Sequence, residues 1–307
     1  MAGMEHHTRP VHPALRPYVG DLIGYASYGY PMELHRGLPS RFMTLVITLD
    51  EPLGVAWPGR PVDKYDALAG GLHSTAVHIG QTDSRAGVQV SLTPPAAREL
   101  FGLPAGQLAS IVVGLDEVFG RSARELTEQL REEPSWDRRF DLIEGLLLEQ
   151  LGQRNAGTAQ PEVDWAWQRL CTSHGAIGIQ QLATEVGWSR RHLTDRFTRE
   201  LGLAPKVAAR VLRFERVTGH LRRHPRTRLA DLSAAAGYAD QAHLTRECVR
   251  LTGVTPRELL GDKADRCDCG HDHSASYRPF LAGWYDRFVQ ARRGGPLLAS
   301  AHGTDRS

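Results

Sequence analysis

Hydrophobic and polar positions follow two different patterns along the 307-residue chain. In residues 38–92 the apolar positions come in short β-branched or alternating runs, and breakers such as Gly70-Gly71 separate these runs. Such runs are typical of β-strands joined by turns. We therefore predict a small β-rich core with strands at residues 42–49, 75–79 and 87–92.

The apolar spacing changes to three or four residues after Pro94, which predicts helices at residues 96–101, 121–131 and 136–151. Every segment from residue 162 to residue 261 keeps this helical period, with short glycine-centred breaks. The chain is also long enough for two domains with separate cores. The predicted fold class is α+β, in which a β-rich sensor or dimerisation domain (1–152) and a linker (153–161) precede an all-α domain (162–261) and a C-terminal tail (262–307).

The predicted all-α domain contains an internal repeat. Its two copies are offset by 50 residues in their first helix and by 51 residues after a one-residue insertion in the second turn. Each copy has a short helix, a glycine, an aromatic residue, a polar cap and a second helix, which are the parts of a helix-turn-helix unit. The matched pairs are Leu182 and Leu232, Gly187 and Gly237, Trp188 and Tyr238, Leu193 and Leu244, Gly202 and Gly253, and Pro205 and Pro256.

The glycine and the cap have defined roles in this plan. Gly187 and Gly237 suit the left-handed backbone that ends a helix. Ser189 and Asp240 can accept hydrogen bonds from the first backbone N–H groups of the second helix. Trp188 and Tyr238 are expected to pack the turn against the core, and this turns the polar residues of the second helix outward.

The outward side chains are of types that read DNA bases. Arg can bond to guanine, Gln to adenine, and Thr can contact the thymine methyl group. Asp195 can accept a hydrogen bond from cytosine or instead hold a neighbouring Arg in place. The predicted outward set is Arg190, Arg191, Thr194, Asp195 and Arg199 in the first copy, and Gln241, Ala242, Thr245, Arg246 and Arg250 in the second.

A basic helix at residues 206–223 is predicted between the two copies. Its expected buried stripe is Val207, Val211, Leu212 and Leu221. A rigid linker of this kind fixes the separation of the two recognition helices. One chain is therefore expected to cover two successive major grooves on one face of double-stranded DNA, about 34 Å apart.

Residues 175–261 resemble the DNA-binding domain of the AraC/XylS family of transcription regulators, most closely at residues 237–246 and at Gly253-Val-Thr-Pro256. The resemblance implies a regulator whose first domain, often a small β-barrel, senses an effector or dimerises. One departure is Cys248, which stands where the family usually has phenylalanine, so looser packing is expected unless a neighbour compensates. The base-facing positions that the resemblance implies are Arg191, Thr194, Asp195, Gln241, His243, Thr245 and Arg246.

The distribution of charge supports an acidic partner for the second domain. Residues 1–174 hold 15 Lys/Arg and 21 Asp/Glu, whereas residues 175–262 hold 15 and 9. Lys and Arg side chains that neutralise phosphates supply much of the affinity for nucleic acid. A solvated helical face would carry a similar charge, so the difference only supports the motifs.

The first domain offers candidate pocket groups for an effector of unknown identity. These groups are His35, Arg36, Arg41, His73 and His78, although each of them taken alone also fits a structural role. A homodimer through this domain is expected, because two copies would then meet a repeated operator.

The tail contains a compact cluster of metal-binding residue types, Cys267, Cys269, His271 and His273. These side chains could bind Zn²⁺ or Cu⁺ and would then make the protein a metal-responsive regulator. Their spacing is tighter than that of the usual zinc motifs, so a solvated tract without a bound ion is the competing interpretation. We expect no obligatory cofactor. The aromatic segment 277–289 is interpreted as a helix docked on the body.

We expect no enzyme activity, because no phosphate loop, Ser/His/Asp order or nucleotide fingerprint is present. The alternative is a cysteine-dependent DNA-repair enzyme with Cys171 or Cys267 as nucleophile, but neither thiol has a base-assisted setting. No apolar run reaches the roughly 20 residues that span a bilayer, and the start of the chain lacks the features of a secretory signal. A cytoplasmic protein without disulfides or membrane contact is expected.

Overall fold

The computed structural model describes residues 3–28, 35–80, 84–153 and 160–261. Within these ranges every strand lies before Leu115, and every α-helix begins at or after that residue. The α+β fold class is therefore confirmed, with a β-rich region followed by a helical one.

The strands form two antiparallel sheets, and the predicted strands correspond to β4, β8 and β9. The six-stranded sheet has the order β1 (Gly3–Thr8), β2 (Val19–Tyr28), β9 (Ser84–Leu92), β4 (Met43–Thr48), β7 (Ala67–Gly70) and β10 (Val112–Gly114). The four-stranded sheet has the order β3 (His35–Gly37), β8 (Val77–Ile79), β5 (Leu53–Ala56) and β6 (Asp63–Tyr65).

The two faces of the larger sheet have different partners. Val46 of β4 pairs with Leu68 of β7 and with Gln89 of β9, and paired residues point to the same face. Val46 and Leu68 pack with apolar residues of the smaller sheet, so this face is turned toward it. The opposite face packs against the helices of the first region through buried residues that include Met43, Leu45 and Ile47.

The sequence pattern did not predict β1 and β2. Gly20 and Gly24 interrupt the apolar alternation of β2, but both lie where an aromatic ring covers the strand. A Cβ atom on Gly24 would lie 2.3 Å from the ring of Trp136, and one on Gly20 would lie 2.8 Å from the ring of Phe42. These glycines therefore allow close packing and do not mark turns.

The helices of the first region close its core. They are α1 (Leu115–Phe119), α2 (Arg121–Glu132) and α3 (Trp136–Gln153), and the last two confirm the predicted helices at residues 121–131 and 136–151. The segment predicted as helix at residues 96–101 forms a π-helical turn, Ala97–Phe101, which a 3-10 turn at Ala105–Leu108 follows.

The second region is helical throughout its described length, as predicted. Its long helix begins at Pro205, one residue before the predicted start, because proline suits the first helical position. The helices are α4 (Pro161–Thr172), α5 (Ile179–Val186), α6 (Arg190–Leu201), α7 (Pro205–Arg223), α8 (Leu229–Ala235), α9 (Gln241–Thr252) and α10 (Pro256–Gly261).

The expectation of two separate cores is wrong. One continuous cluster of buried residues includes Leu45 and Val90 of the larger sheet together with Trp167 of α4 and Phe197 of α6. The first helix-turn-helix unit thus shares its core with the β-rich region. The second unit has a small cluster of its own, formed by Val217, Leu221, Leu232, Ala236, Tyr238 and Leu244.

Candidate nucleic-acid interface

Each helix-turn-helix unit has the turn that its sequence predicts. The first pairs α5 with α6, and the second pairs α8 with α9. Gly187 and Gly237 have φ angles of 77° and 75°, which L side chains rarely adopt. Ser189 accepts a hydrogen bond from the backbone N–H of His192 at 3.2 Å, and Asp240 accepts one from that of His243 at 2.6 Å. The predicted caps are confirmed.

An aromatic residue and a histidine hold each turn together. The ring centroids of Trp188 and His192 lie 4.6 Å apart, edge to face, and those of Tyr238 and His243 lie 5.3 Å apart in the same geometry. Burial raises the pKa of Tyr238 to about 12, although nearby Arg213 opposes this shift. The turn aromatics therefore pack as predicted, with Tyr238 buried and Trp188 partly buried.

His243 lies in the first helical turn of α9, is half-buried and contacts the turn that precedes this helix. Besides its contact with Tyr238, its Nδ1 accepts a hydrogen bond from the backbone N–H of Ala239 at 3.3 Å. The repeat could have indicated that this histidine packs on the turn aromatic, because His192 occupies the matching position and makes the matching contact with Trp188. The structure thus gives His243 a local partner that the family resemblance did not indicate.

The first recognition helix, α6, presents the predicted polar residues. Arg190, Arg191, Asp195 and Arg199 are exposed, and Thr194 is half-buried. Behind them, Leu193, Phe197 and Leu201 are buried with at most 1% of their surface exposed. The helix therefore has one face fixed to the core and one face open.

The second recognition helix, α9, repeats this arrangement. Gln241, Ala242, Arg246 and Arg250 are exposed, and Thr245 is half-buried. Leu244, Cys248 and Leu251 form its buried face. The structure thus places all ten residues of the predicted outward set on the two recognition helices, with none of them buried.

The two threonines at matching positions are held in the same way. Thr194 donates its hydroxyl to the carbonyl of Arg190 at 2.8 Å, and Thr245 donates to the carbonyl of Gln241 at 2.9 Å. Each hydroxyl proton is therefore used within its own helix.

Of the two roles considered for Asp195, the structure bears on the contact with a neighbouring arginine. Its carboxylate lies 4.0 Å from the Nε of Arg191, one helical turn earlier, and both side chains are exposed. An exposed pair of this kind contributes little to stability. The pair places the Asp195 carboxylate beside the Arg191 guanidinium on the open face of α6.

Two ion pairs behind the recognition helices were not predicted from the sequence. Arg169 of α4 donates to both carboxylate oxygens of Glu185 in α5, at 2.9 and 3.2 Å, and these bonds lower the pKa of Glu185. Arg210 of α7 forms an ion pair with Glu247 of α9. The partners are 16 and 37 residues apart, so no local pattern links them.

Cys248 lies in a filled part of the core. It is 2% exposed and packs in a cluster with Val211, Phe214 and Leu251. Phe214 of the linker helix supplies an aromatic ring to this cluster, which is the compensation that the sequence did not indicate. The predicted stripe of α7 is also confirmed, since Val211, Leu212 and Leu221 are buried and Val207 is partly buried.

The candidate pocket groups of the first domain do not form a single cluster. Arg36 and His78 pair across β3 and β8, and His35 lies beside them on β3. His73 instead has its ring 5.6 Å from that of Trp57 and its Nδ1 2.8 Å from the carbonyl oxygen of Thr75, and burial lowers its pKa. Arg41 is 3% exposed and donates to Glu215 of α7 at 2.6 Å. Arg41 therefore belongs to a contact with the linker helix and not to an effector pocket.

The remaining candidate residues are those of the C-terminal tail and Cys171 of α4. The cluster of Cys267, Cys269, His271 and His273 lies outside the described residues, as does the aromatic segment 277–289. Cys171 is only 1% exposed within α4, so the repair hypothesis has no accessible thiol there. Among the described residues, no group of His, Cys, Asp and Glu could hold a metal ion, and no helix could span a membrane.

Comparison with known proteins identifies the repeat region. Residues 182–261 match a family model described as a helix-turn-helix domain. An uncharacterized HTH-type transcriptional regulator of Staphylococcus aureus is 28% identical over 90 residues, which is 29% of this chain. The matched segment spans only 12% of the length of that relative.

Two groups of solved structures are similar over most of the chain. The crystal structure of ToxT from Vibrio cholerae gives a TM-score of 0.45 at 10% identity and covers 84% of this chain and 97% of its own. The crystal structure of the AraC-like transcriptional activator CuxR gives a TM-score of 0.27 at 15% identity and covers 68% of this chain and 85% of its own.

Proposed function

We propose that this chain is a transcription regulator of the AraC type and that its helix-turn-helix domain reads two successive major grooves of double-stranded DNA. In this proposal α6 and α9 are the recognition helices, and the β-rich domain holds an effector that controls them. The observation that carries the proposal is the repetition of one open helix face in two copies.

The two open faces support reading of bases and not only attraction to phosphates. Each begins after a capped turn, and each carries a threonine with its hydroxyl bonded internally. Arg246 in α9 and Arg191 in α6 are exposed on these faces, and arginine is the side chain that most often contacts guanine. Exposed arginines outside the recognition helices, such as Arg226 and Arg228, suit phosphate contacts.

The test is binding of the purified chain to DNA from upstream of its own gene, measured by fluorescence anisotropy at two salt concentrations. Arg246→Ala should weaken specific binding about 5- to 150-fold, because a good bidentate base contact contributes roughly 1–3 kcal/mol. Arg121→Ala is the matched control, since Arg121 is an exposed arginine of α2, away from both recognition helices. Binding that is weak, lost with salt and equally sensitive to both substitutions would contradict the proposal.

The space between the two sheets is the effector site that we favour. The register of β2, β9 and β4 puts Tyr25, Arg85 and Gln89 on the face of Val46, which is turned toward the smaller sheet. The Arg85 guanidinium lies 5.7 Å from the centre of the Tyr25 ring, and its Nε is buried without a hydrogen-bond partner. Polar groups on an otherwise apolar face are typical of small-molecule sites.

A panel of small carboxylates, sugars and aromatic compounds tests this site by thermal unfolding. A compound that stabilises the wild-type chain and changes its DNA affinity should lose both effects in Gln89→Trp, which fills the space between the sheets. A compound whose effects survive this substitution would locate the effector elsewhere.

A homodimer through the first domain completes the proposal, because a repeated operator then meets two pairs of recognition helices. Sedimentation of the full chain tests it directly. A free chain that sediments as a monomer at micromolar concentration, together with a DNA complex that contains one chain, would contradict the homodimer.

A further inference from the structure

We propose that the β-rich domain positions the two recognition helices relative to each other, and that Arg98 and Arg41 are the residues through which it does so. This inference rests on the proposed reading of two DNA grooves. It goes further by making the spacing of the two half-sites depend on contacts with the first domain. Neither arginine needs to touch DNA.

The first contact holds the back of α6. Arg98, in the π-helical turn, donates from Nε and Nη2 to the two carboxylate oxygens of Glu200. Glu200 is only 8% exposed and lies on the buried side of the helix. A bidentate pair between a planar guanidinium and a carboxylate fixes orientation as well as distance.

Two glycines bring the same parts of the chain into close contact. A Cβ atom on Gly106 would lie 2.3 Å from the carbonyl oxygen of Arg199, the last predicted base-reading arginine of α6. A Cβ atom on Gly202 would lie 2.0 Å from the Cβ of Ala109. The 3-10 turn of the first domain therefore lies directly against the C-terminal end of the recognition helix.

The second contact holds the linker helix and the end of α9. Arg41, 3% exposed, donates to Glu215 of α7 at 2.6 Å. The backbone N–H of Ala76 donates to the carbonyl of Leu251 at 2.7 Å, in the last turn of α9. Leu38 also packs on the cluster that contains Cys248. The first domain thus contacts the second recognition helix directly and through α7.

The distribution of the cores explains why these contacts matter. The first unit shares the main core, whereas the second unit packs around a separate cluster at the far half of α7, which includes Val217 and Leu221. Without the first domain, α7 with its local packing would be the main connection between the two units. The Arg98 contact attaches the first unit to the β-rich domain. The Arg41 contact attaches the second unit to the same domain through α7.

The experiment measures how strictly the full-length chain selects the spacing of its half-sites. A duplex enriched by the wild-type chain from a random-sequence library is the probe, together with versions in which the half-sites are one or two base pairs closer or farther apart. Each base pair turns one half-site by about 34–36° around the DNA axis. The variants are Arg98→Glu, Arg41→Gln and the charge exchange Arg98→Glu with Glu200→Arg.

The wild-type chain should prefer the enriched spacing about tenfold or more over a two-base-pair change, because a rigid linkage binds both half-sites only when they match it. In Arg98→Glu and Arg41→Gln the preference should fall to about twofold. The charge exchange should restore it. Arg121→Gln, which removes an exposed ion pair with Glu125 in α2, is the control and should keep the wild-type preference.

The outcomes separate this inference from the proposed function. If the wild-type chain enriches no sequence, the proposed function fails. If it enriches one and Arg98→Glu and Arg41→Gln keep the tenfold preference, the positioning role is wrong. If Arg98→Glu fails to fold, the charge exchange and Arg98→Lys replace it, and if Arg41→Gln fails to fold, Arg41→Lys replaces it. Lysine cannot form the bidentate pair, so an unchanged preference in Arg98→Lys also contradicts the inference.

Discussion

The substitution Cys248→Phe should destabilise the chain, although phenylalanine is the residue that the family usually has at this position. Cys248 is 2% exposed, and its neighbours Phe214 and Leu251 are each 1% exposed. The cluster has Leu38 of the first domain on one side and Leu259 of α10 on another. An added aromatic ring therefore has to displace side chains that belong to three parts of the fold.

The expected cost is about 1–3 kcal/mol, the usual range for overpacking a filled core. Thermal unfolding followed by circular dichroism should show a midpoint lower by about 2–4 °C for each kcal/mol, as in domains of 150–250 residues. Phe214→Ala alone should cost about 3–5 kcal/mol because it empties the same space.

The double variant separates overpacking from other effects. With Phe214→Ala in place, the ring at position 248 has space to enter, so the two costs should not add. The coupling should favour the double variant by about 0.5–3 kcal/mol. An increase in stability for Cys248→Phe alone, or simple additivity in the double variant, would refute the idea that Phe214 fills this space.

Three further predictions concern protonation and helix capping. Burial and the nearby Glu200 raise the pKa of Asp164 from 3.8 to about 7. The folded chain therefore keeps a proton that the unfolded chain has lost between these values, and stability falls as the pH rises from about 4 to about 7. Asp164→Asn should lose less of its unfolding temperature between pH 5 and pH 8 than the wild type, and equal losses would contradict this assignment. Ser189→Ala and Asp240→Ala should each cost about 1 kcal/mol in chemical denaturation because a helix cap is lost, and an unchanged midpoint would show that the cap contributes nothing. Arg85→Met should raise the pKa of Tyr25 further above the ordinary value of 10.0, because the guanidinium opposes the rise that burial causes, and a titration by ultraviolet absorbance that gave a lower pKa than in the wild type would contradict this contact.

The second region was predictable because its determinants are local and occur twice. Gly187, Ser189 and Leu193 act within a few residues of one another, and the repeat provides a second instance of each. Helical period then assigns the buried and open faces of α6 and α9. The open faces of these two helices could therefore be assigned from the sequence alone.

The first region was less predictable because its determinants are distant in sequence. In the sequence Gly24 resembles a strand breaker, but in the fold the ring of Trp136 packs against it. Arg98 and Glu200 are 102 residues apart, and Arg41 and Glu215 are 174 apart. No local pattern links such partners, so Arg41 was assigned to a pocket when it binds the linker helix.

The most direct test of the central claim is a hydroxyl-radical footprint of the full-length chain on its enriched DNA. Two protected stretches should appear on one face, about 10–10.5 base pairs apart from centre to centre. Arg191→Ala should weaken one of them and Arg246→Ala the other. A single protected stretch, or equal loss of both stretches in each variant, would contradict the claim that one chain reads DNA with two recognition helices.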